Sequence, residues 1–262
     1  MRLVLDHVSA SYDTASYACD VLKDISFCVE AGMRVAVLGA NGSGKTSLLR
    51  AVTGSLPYRG SITFDGLEVR EMKAARVASC CAFLEQTNHA YFPYTVEETV
   101  SQGRYLHAKK GLLFGEMTPK DREMTDEMLR FTGLTDVSER PIDTLSGGQL
   151  QRVFLARTLV QEAPFILLDE PASHLDLKYR AELIDFLKSW SLKETVLPDG
   201  SAHQNTLLGV FHDLTDARRL ATHVLLLKEG RLAAYGEKED LLADRTLLEE
   251  VFDFDVLGYL FR

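Results

Sequence analysis

The sequence predicts an α/β fold with a mainly parallel sheet, and two patterns indicate it. Short aliphatic runs such as Arg34–Leu38 and residues 165–168 are typical of parallel strands buried on both faces. Residues 47–52, which follow the first of these runs, have helical spacing and few helix breakers. With 262 residues, of which 46% are hydrophobic, the chain is long enough for one large domain with a sizeable core.

Two strands are expected before the buried run at residues 34–38. Residues 3–9 and 21–29 have strand-like composition and flank a polar turn. Tyr12 lies in this turn, where an aromatic ring can stack on a flat base, and Tyr17 is a rival for the same role.

A glycine-rich loop at residues 39–46 joins a predicted buried strand to a predicted helix. It fits the pattern G-x-x-x-x-G-K-[ST], which wraps nucleotide phosphates. Its glycines let backbone N–H groups close around an anion at the helix N-terminus. Lys45 is expected to reach the β- and γ-phosphates, and the Thr46 hydroxyl to bind Mg²⁺. The loop therefore predicts a nucleotide site; its glycines are Gly39, Gly42 and Gly44.

The next segment changes from strands to helices. Residues 59–66 have a hairpin pattern, and residues 77–84 are predicted to form a buried strand that ends at Gln86. Gln86 is positioned either to sense a γ-phosphate or Mg²⁺ or simply to end the strand with a polar group. Capping-box patterns at Thr95 and Thr118 indicate that helices follow.

A second anion site is predicted at residues 145–149, with the sequence LSGGQ. Ser146 and Gln149 can cap a helix reciprocally. Gly147 and Gly148 leave several N–H groups at the start of that helix approachable. A helix cap alone would explain the serine and the glutamine but would not require both glycines.

Polar side chains end two further strands. Asp169, at the end of the apolar run 165–168, can hold Mg²⁺ through its water shell, and Glu170 can polarise an attacking water. His212 ends the strand at 206–211 and is suited to contact a γ-phosphate.

The C-terminal third is expected to hold a helix at 179–192, a surface loop at 193–205 and a hairpin at 224–235. A helical tail follows from residue 237. Its aromatic residues are expected to pack on the core rather than to form a contact surface: Phe252, Phe254, Tyr259 and Phe261.

Composition argues against several classes of protein. No run approaches the roughly 18 apolar residues of a membrane span, and an acidic residue comes too early for a secretory signal. The four cysteines lack metal-site spacing, which favours free thiols in a reducing cytosol. A net charge of −9 argues against bulk nucleic-acid binding.

Together these motifs resemble those of the ATP-binding-cassette (ABC) ATPases, over essentially the whole chain. The resemblance implies a single domain, residues 1–262: a P-loop NTPase core (1–87 and 161–262) with a mainly parallel sheet, an N-terminal antiparallel β subdomain and an inserted α-helical subdomain (88–160) that carries LSGGQ. LSGGQ is the most specific motif, because other phosphate-loop enzymes lack it.

The resemblance also implies an ATPase that binds ATP and Mg²⁺ in a head-to-tail homodimer. ATP would lie between the phosphate loop of one copy and the LSGGQ turn of the other, with Asp176 at the seam. Glu170 matches the catalytic base, His212 the switch histidine, Gln86 the link to membrane partners and Tyr12 the adenine-stacking aromatic. Other loop residues would contact the nucleotide: Asn41, Ser43 and Ser47.

Within the family, residues 95–104, 121–140 and 173–177 look like those of importers of iron chelates such as siderophores, haem and cobalamin. That implies transmembrane permease subunits as partners, a substrate-binding protein acting through them, and a place on the cytoplasmic face of the membrane. The alternatives are a soluble cassette acting on ribosomes or nucleic acid, an exporter subunit, or a scaffold that hydrolyses ATP slowly. Two departures from the usual pattern, Leu150 after LSGGQ and Ala172 for a frequent threonine, remove no catalytic group.

Overall fold

The structure is a computed structural model that describes residues 1–14, 17–85, 93–107, 117–173, 175–197, 200–256 and 258. Its strands, in chain order, are β1 (Leu3–Thr14), β2 (Tyr17–Val29), β3 (Arg34–Leu38), β4 (Tyr58–Phe64), β5 (Leu67–Glu68), β6 (Cys81–Leu84), β7 (Phe165–Asp169), β8 (Glu194–Val196), β9 (Ala202–Gln204), β10 (Thr206–Val210), β11 (His223–Lys228) and β12 (Arg231–Glu237). Its α-helices are α1 (Lys45–Val52), α2 (Ala74–Cys80), α3 (Val96–Ser101), α4 (Pro119–Phe131), α5 (Gly147–Leu159), α6 (Leu177–Ser191), α7 (Leu214–Leu220), α8 (Lys238–Leu241) and α9 (Arg245–Phe252).

A six-stranded sheet in the order β12-β11-β3-β10-β7-β6 forms the centre of the molecule. All of its neighbouring pairs are parallel except β11 with β12. The predicted α/β class with a mainly parallel sheet is therefore confirmed. The carboxyl ends of parallel strands meet at one edge, which is where ligands bind in such sheets.

Side chains alternate along the central strands, so the sheet has a core on each face. In β3, Val35 and Val37 pack in the core that also holds α1 and the N-terminal sheet. Ala36 and Leu38 pack on the opposite face, in the core shared with α5 and α6. This period of two is what a strand buried on both faces requires.

The N-terminal strands are longer than predicted. They form an antiparallel sheet in the order β2-β1-β4-β5, and β1 and β2 stay paired out to Thr14 opposite Tyr17. The polar turn expected between residues 9 and 21 is therefore wrong for residues 10–14 and 17–20, which belong to the paired strands. Register shifts between Leu5 and Ser11 bend this ribbon, as bulges do.

Two other predicted elements differ from the structure. Residues 77–80 belong to α2, and the strand begins only at Cys81. A short apolar run does not by itself distinguish helix from strand, and the alanines around it favour helix. The polar segment predicted as a loop at 193–205 contains the β8–β9 hairpin, which is held by a hydrogen bond from the Thr195 hydroxyl to the Asn205 side chain (2.7 Å).

The segment between β6 and β7 is helical in its described parts, and its predicted capping boxes are confirmed at Thr95, Thr118 and Ser146. In α4, Met128 and Leu129 are buried. No described helix has both the length and the apolar character needed to cross a bilayer.

The predicted helical tail is present as α8 and α9, but its described aromatic residues differ in burial. Phe252 packs against the core, whereas the Phe254 side chain is 54% exposed, so the expected packing is wrong for Phe254. Tyr259 and Phe261 lie outside the described residues.

Candidate functional site

The phosphate loop lies between β3 and α1 at the carboxyl edge of the central sheet. A Cβ atom on Gly39 would stand 2.2 Å from the Leu227 carbonyl oxygen, and one on Gly44 would stand 2.7 Å from that of Val21. Both glycines also have positive φ, 153° and 102°. Only glycine fits these two positions, because a side chain would meet backbone atoms that cannot move away.

The turn between β11 and β12 braces the same loop. The Gly230 N–H donates to the Ser43 carbonyl oxygen at 3.0 Å, and the Leu227 carbonyl oxygen lies against Gly39. The loop is thus enclosed by backbone from the N-terminal hairpin on one side and from the C-terminal third of the chain on the other.

Lys45 is 7% exposed, and its Nζ donates to the Gly39 and Ala40 carbonyl oxygens, each at 2.9 Å. Burial lowers the pKa of Lys45, while the nearby carboxylates of Glu170 and Asp169 act to raise it. The ammonium is therefore held against its own loop, within reach of an anion that the loop encloses.

Asp169 is fully buried at the end of β7, and neither of its carboxylate oxygens has a hydrogen-bond partner among the described residues. Burial raises the pKa of Asp169, and the nearby Thr46 hydroxyl acts in the opposite direction without forming a well-made hydrogen bond. A buried carboxylate without a partner is costly. The Thr46 hydroxyl and the Asp169 carboxylate therefore fit Mg²⁺, which uses one or two protein oxygens and completes its shell with water and phosphate oxygens.

The described residues contain no group of three or more His, Cys, Asp or Glu side chains able to hold a metal on their own.

Glu170 and His212 follow neighbouring strands and meet at the edge of the sheet. β7 and β10 pair with Val210 opposite Asp169, so Glu170 and His212 lie one and two residues beyond the ends of neighbouring strands. The His212 Nε2 lies 2.5 Å from the Glu170 Oε1. Glu170 also has a positive φ of 53°, and its N–H donates to the Val210 carbonyl at 3.2 Å. The strained backbone and the close contact fix the Glu170 carboxylate at the site.

One cavity of about 480 Å³ joins these groups. It is lined by the phosphate loop, by Glu170 and His212 and by Val21, which the sequence had not indicated. The loop residues on its wall are Asn41, Gly42, Gly44, Lys45, Thr46 and Ser47. The structure thus brings the predicted loop and the two predicted strand-end side chains to a single cavity.

Tyr12 lies beside the N-terminal turn of α1. Its hydroxyl is 3.4 Å from the Ser47 Oγ, and a hydrogen bond to Tyr12 is the largest effect raising the pKa of Arg50. The ring is 37% exposed. Tyr12 is therefore close to the phosphate loop and open to a ligand.

The LSGGQ turn is built separately. The Ser146 Oγ accepts from the Gln149 N–H at 3.3 Å, and the Gln149 Oε1 accepts from the Ser146 N–H at 3.1 Å. A Cβ on Gly147 would meet no described atom within 4 Å. None of the described residues 146–149 lines the cavity of the phosphate loop.

Two further predicted residues lie apart from that cavity. Asp176 is exposed and caps α6, its Oδ1 accepting from the Tyr179 N–H at 3.0 Å. Gln86, predicted as a catalytic and metal-binding residue, lies outside the described residues.

A family profile described as "ABC transporter" matches residues 22–173, more than half of the chain. The Hemin import ATP-binding protein HmuV of Chelativorans sp. (strain BNC1) is 35% identical over 89% of this chain and 85% of its own. The Ferric enterobactin transport ATP-binding protein FepC of Escherichia coli (strain K12) is 31% identical over 88% of this chain and 81% of its own. The chain spans about half (51%) of a third relative, the ABC transporter ATP-binding protein YvrA of Bacillus subtilis (strain 168), at 35% identity over 90% of this chain.

Among solved structures, the ATP-binding cassette MJ0796, a dimer bound to ADP and Pi, has a TM-score of 0.76 at 24% identity and covers 90% of this chain and 98% of its own. A bacterial Atm1-family ABC exporter with ATP bound has the same TM-score and identity, and it covers 95% of this chain and 41% of its own. At this identity the likeness concerns the fold.

Proposed function

This chain belongs to the ABC transporter family, and we propose that it is the ATP-hydrolysing subunit that drives uptake of an iron chelate through separate membrane subunits. The observation that carries the proposal is the single cavity that joins Lys45, Thr46, Glu170 and His212. Such a cavity offers groups for binding a triphosphate and for activating water next to it.

ATP would bind with its phosphates in the loop at 39–46. The Lys45 ammonium would exchange its two carbonyl partners for phosphate oxygens, and the N–H groups at the start of α1 would complete the cradle. The Tyr12 ring would stack on the adenine. Thr46 and Asp169 would hold Mg²⁺, with Gln86 as a further ligand. When bound, Mg²⁺ supplies positive charge that offsets the charge on the β- and γ-phosphate oxygens.

Hydrolysis would use Glu170 as the general base. Its carboxylate accepts a hydrogen bond from a water in line with the γ-phosphorus and takes the proton as the new O–P bond forms. The bond between the γ-phosphorus and the bridging oxygen breaks, which gives ADP and phosphate. His212 would contact the γ-phosphate and, through its contact with Oε1, hold the Glu170 side chain in place.

The LSGGQ turn supports a dimer, because it is open at Gly147 and does not line its own chain's cavity. We place it on the ATP of a second copy in a head-to-tail homodimer, with Asp176 at the seam. Each copy would then complete the site of its partner. The division into a core (1–87 and 161–262) and a helical subdomain (88–160) gives the dimer two parts that can move when the sites close.

The class of cargo rests on the relatives. HmuV and FepC are named for hemin import and ferric enterobactin transport, and both match about 88% of this chain. An iron chelate handled by permease subunits and an upstream binding protein is therefore the cargo that we propose. The chain would act on the cytoplasmic face of the membrane.

The test uses a Glu170→Gln variant, which should bind ATP, close the dimer and hydrolyse almost none. Tagged variant protein is purified from detergent-solubilised cells with Mg²⁺ and ATP, and the proteins bound to it are identified by mass spectrometry. A polytopic membrane protein at equal stoichiometry, lost in the Lys45→Ala/Glu170→Gln double variant, would support the transporter function. Recovery of ribosomal proteins or DNA instead would contradict it.

A further inference from the structure

The first turn of α6 contacts two different parts of the molecule through adjacent residues. The Arg152 guanidinium of α5 lies 4.2 Å above the centre of the Tyr179 ring. An Arg152 Nη also donates to the Thr132 carbonyl oxygen at the end of α4, at 2.8 Å. Tyr179 therefore connects α6 to the helix that begins with the LSGGQ turn.

The next residue, Arg180, contacts α7 instead. Its Nε donates to the Asp216 Oδ2 at 2.6 Å, and an Nη donates to the Asp213 Oδ2. One guanidinium thus binds two carboxylates that lie three residues apart, at the N-cap and in the first turn of α7. Two-pronged hydrogen bonds of this kind fix geometry as well as adding energy.

Asp213 directly follows His212. Its Oδ1 accepts from the Thr215 N–H at 2.7 Å, so the residue caps α7 while its other oxygen is held by Arg180. The backbone that carries the His212 ring is therefore fixed by Arg180 from α6 and by the start of α7. Both contacts are made by the residue next to His212.

The burial of Asp216 makes this cluster sensitive to loss of Arg180. Asp216 is buried, and burial raises its pKa while Arg180 acts to lower it. Burial acts in the same direction on Asp213, but the Thr215 N–H and Arg180 outweigh it and lower the pKa of that carboxyl. Removing the guanidinium would leave a buried carboxylate without its charge partner, and the start of α7 would have to rearrange.

The cluster also borders the reacting groups. A small cavity of about 110 Å³ behind the Glu170–His212 contact has Arg180, Asp213 and Asp216 on its wall together with Glu170 and His212. A displacement of Asp213 would therefore be transmitted to the His212–Glu170 contact without any intervening layer of side chains.

We infer that Arg180 is a positioning residue that holds the His212 ring against Glu170 and ties that contact to the helix capped by Asp176. The inference rests on the proposed function, in which His212 and Glu170 act on ATP. The Arg180 side chain does not line the cavity of the phosphate loop. It acts by way of Asp213 and Asp216.

The test is a double-mutant cycle of Arg180→Gln with His212→Ala in steady-state ATP hydrolysis. Arg180→Gln should lower kcat about 10- to 100-fold, because displacement of a catalytic group by about 1 Å has effects of this size. KM should change by less than about threefold, because the phosphate loop is untouched. In the His212→Ala background, the same substitution should change kcat by less than about threefold, since residues that act as a unit are not additive.

Arg219→Gln is the matched control. Arg219 also joins α7 to α6, through an exposed pair with Asp185 at 3.7 Å, but it acts on Asp216 by charge alone and donates no hydrogen bond to Asp213 or Asp216 among the described residues. This control should keep wild-type kcat. An equal loss of kcat from Arg180→Gln with and without His212, or an effect on KM alone, would overturn the inference. If Arg180→Gln does not fold, Arg180→Lys, which retains the charge but not the fork, takes its place in the cycle.

A second measurement needs no turnover. The ring nitrogen resonances of His212 should shift in Arg180→Gln, whereas those of His203, which contacts Ser201 at 3.0 Å, should not. Unchanged His212 resonances would contradict the inference. A wild-type protein that fails to hydrolyse ATP would contradict the proposed function, and the resonances would still decide the role of Arg180.

Discussion

The phosphate loop and the LSGGQ turn are both glycine-rich segments at helix N-termini, yet they are built differently. The phosphate loop is enclosed by Val21 and Leu227, which lie far from it in the sequence, and it shares a cavity with Glu170 and His212. The LSGGQ turn is held by a local capping box and is open to solvent. In the proposed dimer, the enclosed loop of one copy would hold the phosphates and the open LSGGQ turn of the other copy would cover them.

The largest effect on kcat is expected from a substitution of Glu170, in the cavity of the phosphate loop. Glu170→Gln removes the proposed base without changing the size of the side chain, so kcat should fall about 10²- to 10⁴-fold. ATP binding should be retained. Steady-state hydrolysis and binding of a fluorescent ATP analogue measure the two properties. Glu97→Gln, an exposed substitution in α3, should leave both unchanged, and wild-type turnover in Glu170→Gln would show that the base is wrongly assigned.

The next largest effect on kcat is expected from a substitution in the LSGGQ turn. Gly147→Asp should fold normally, because a Cβ at this position meets no atom within 4 Å in the described part of the chain. It should nevertheless lower kcat at least about tenfold, since a carboxylate would face the phosphates bound by the second copy. Unfolding curves and turnover are the measurements.

A mixing experiment sharpens this result. Gly147→Asp and Lys45→Ala are each defective alone, but a dimer of one with the other has one composite site with an intact phosphate loop and an intact LSGGQ turn. Mixing the two should therefore restore part of the activity. No recovery at any ratio would contradict the head-to-tail arrangement.

A smaller effect is expected on ATP affinity. Lys45→Ala removes charge-assisted hydrogen bonds worth about 1.5–3 kcal/mol, so ATP binding should weaken roughly 10- to 100-fold. Titration calorimetry with a non-hydrolysable analogue measures it. Lys178→Ala, an exposed lysine in α6, is the control. Equal affinities in the Lys45 variant and the wild type would place the nucleotide elsewhere.

The smallest effect is expected from removing a capping hydroxyl, and it tests whether Ser146 only caps a helix or also serves ATP hydrolysis. Thr95→Ala and Ser146→Ala each remove a capping-box hydroxyl, and each should lower the free energy of unfolding by about 1 kcal/mol. Only Ser146→Ala should also lower turnover. If the two variants lose the same fraction of activity, the Ser146 hydroxyl serves as a helix cap and nothing more.

Prediction from the sequence was most successful where the signal is local. The capping boxes at Thr95, Thr118 and Ser146 depend on residues three apart, and all three are present. The glycine loop, likewise, is a contiguous pattern. It shares a cavity with Glu170 and His212, because strand ends in a parallel sheet meet at one edge.

The errors arose where tertiary pairing decides. Residues 10–14 have no local pattern that distinguishes a polar turn from a strand, and it is pairing with β2 that makes them a strand. Residues 77–80 were predicted as strand but form helix, because a short apolar run is compatible with either structure. The Arg180 cluster was missed for a related reason. Its partners Asp213 and Asp216 lie in another helix, so the sequence contains no spacing that would indicate the contact.

The bracing of the phosphate loop by the β11–β12 turn has a consequence for biosynthesis. Gly39 rests on the Leu227 carbonyl and Ser43 is held by the Gly230 N–H, so the loop is translated long before its supports. At ordinary rates of translation the delay is on the order of ten seconds. A nascent chain released by the ribosome before residue 230 would carry the full nucleotide motif without the backbone that shapes it, and so would not sequester ATP.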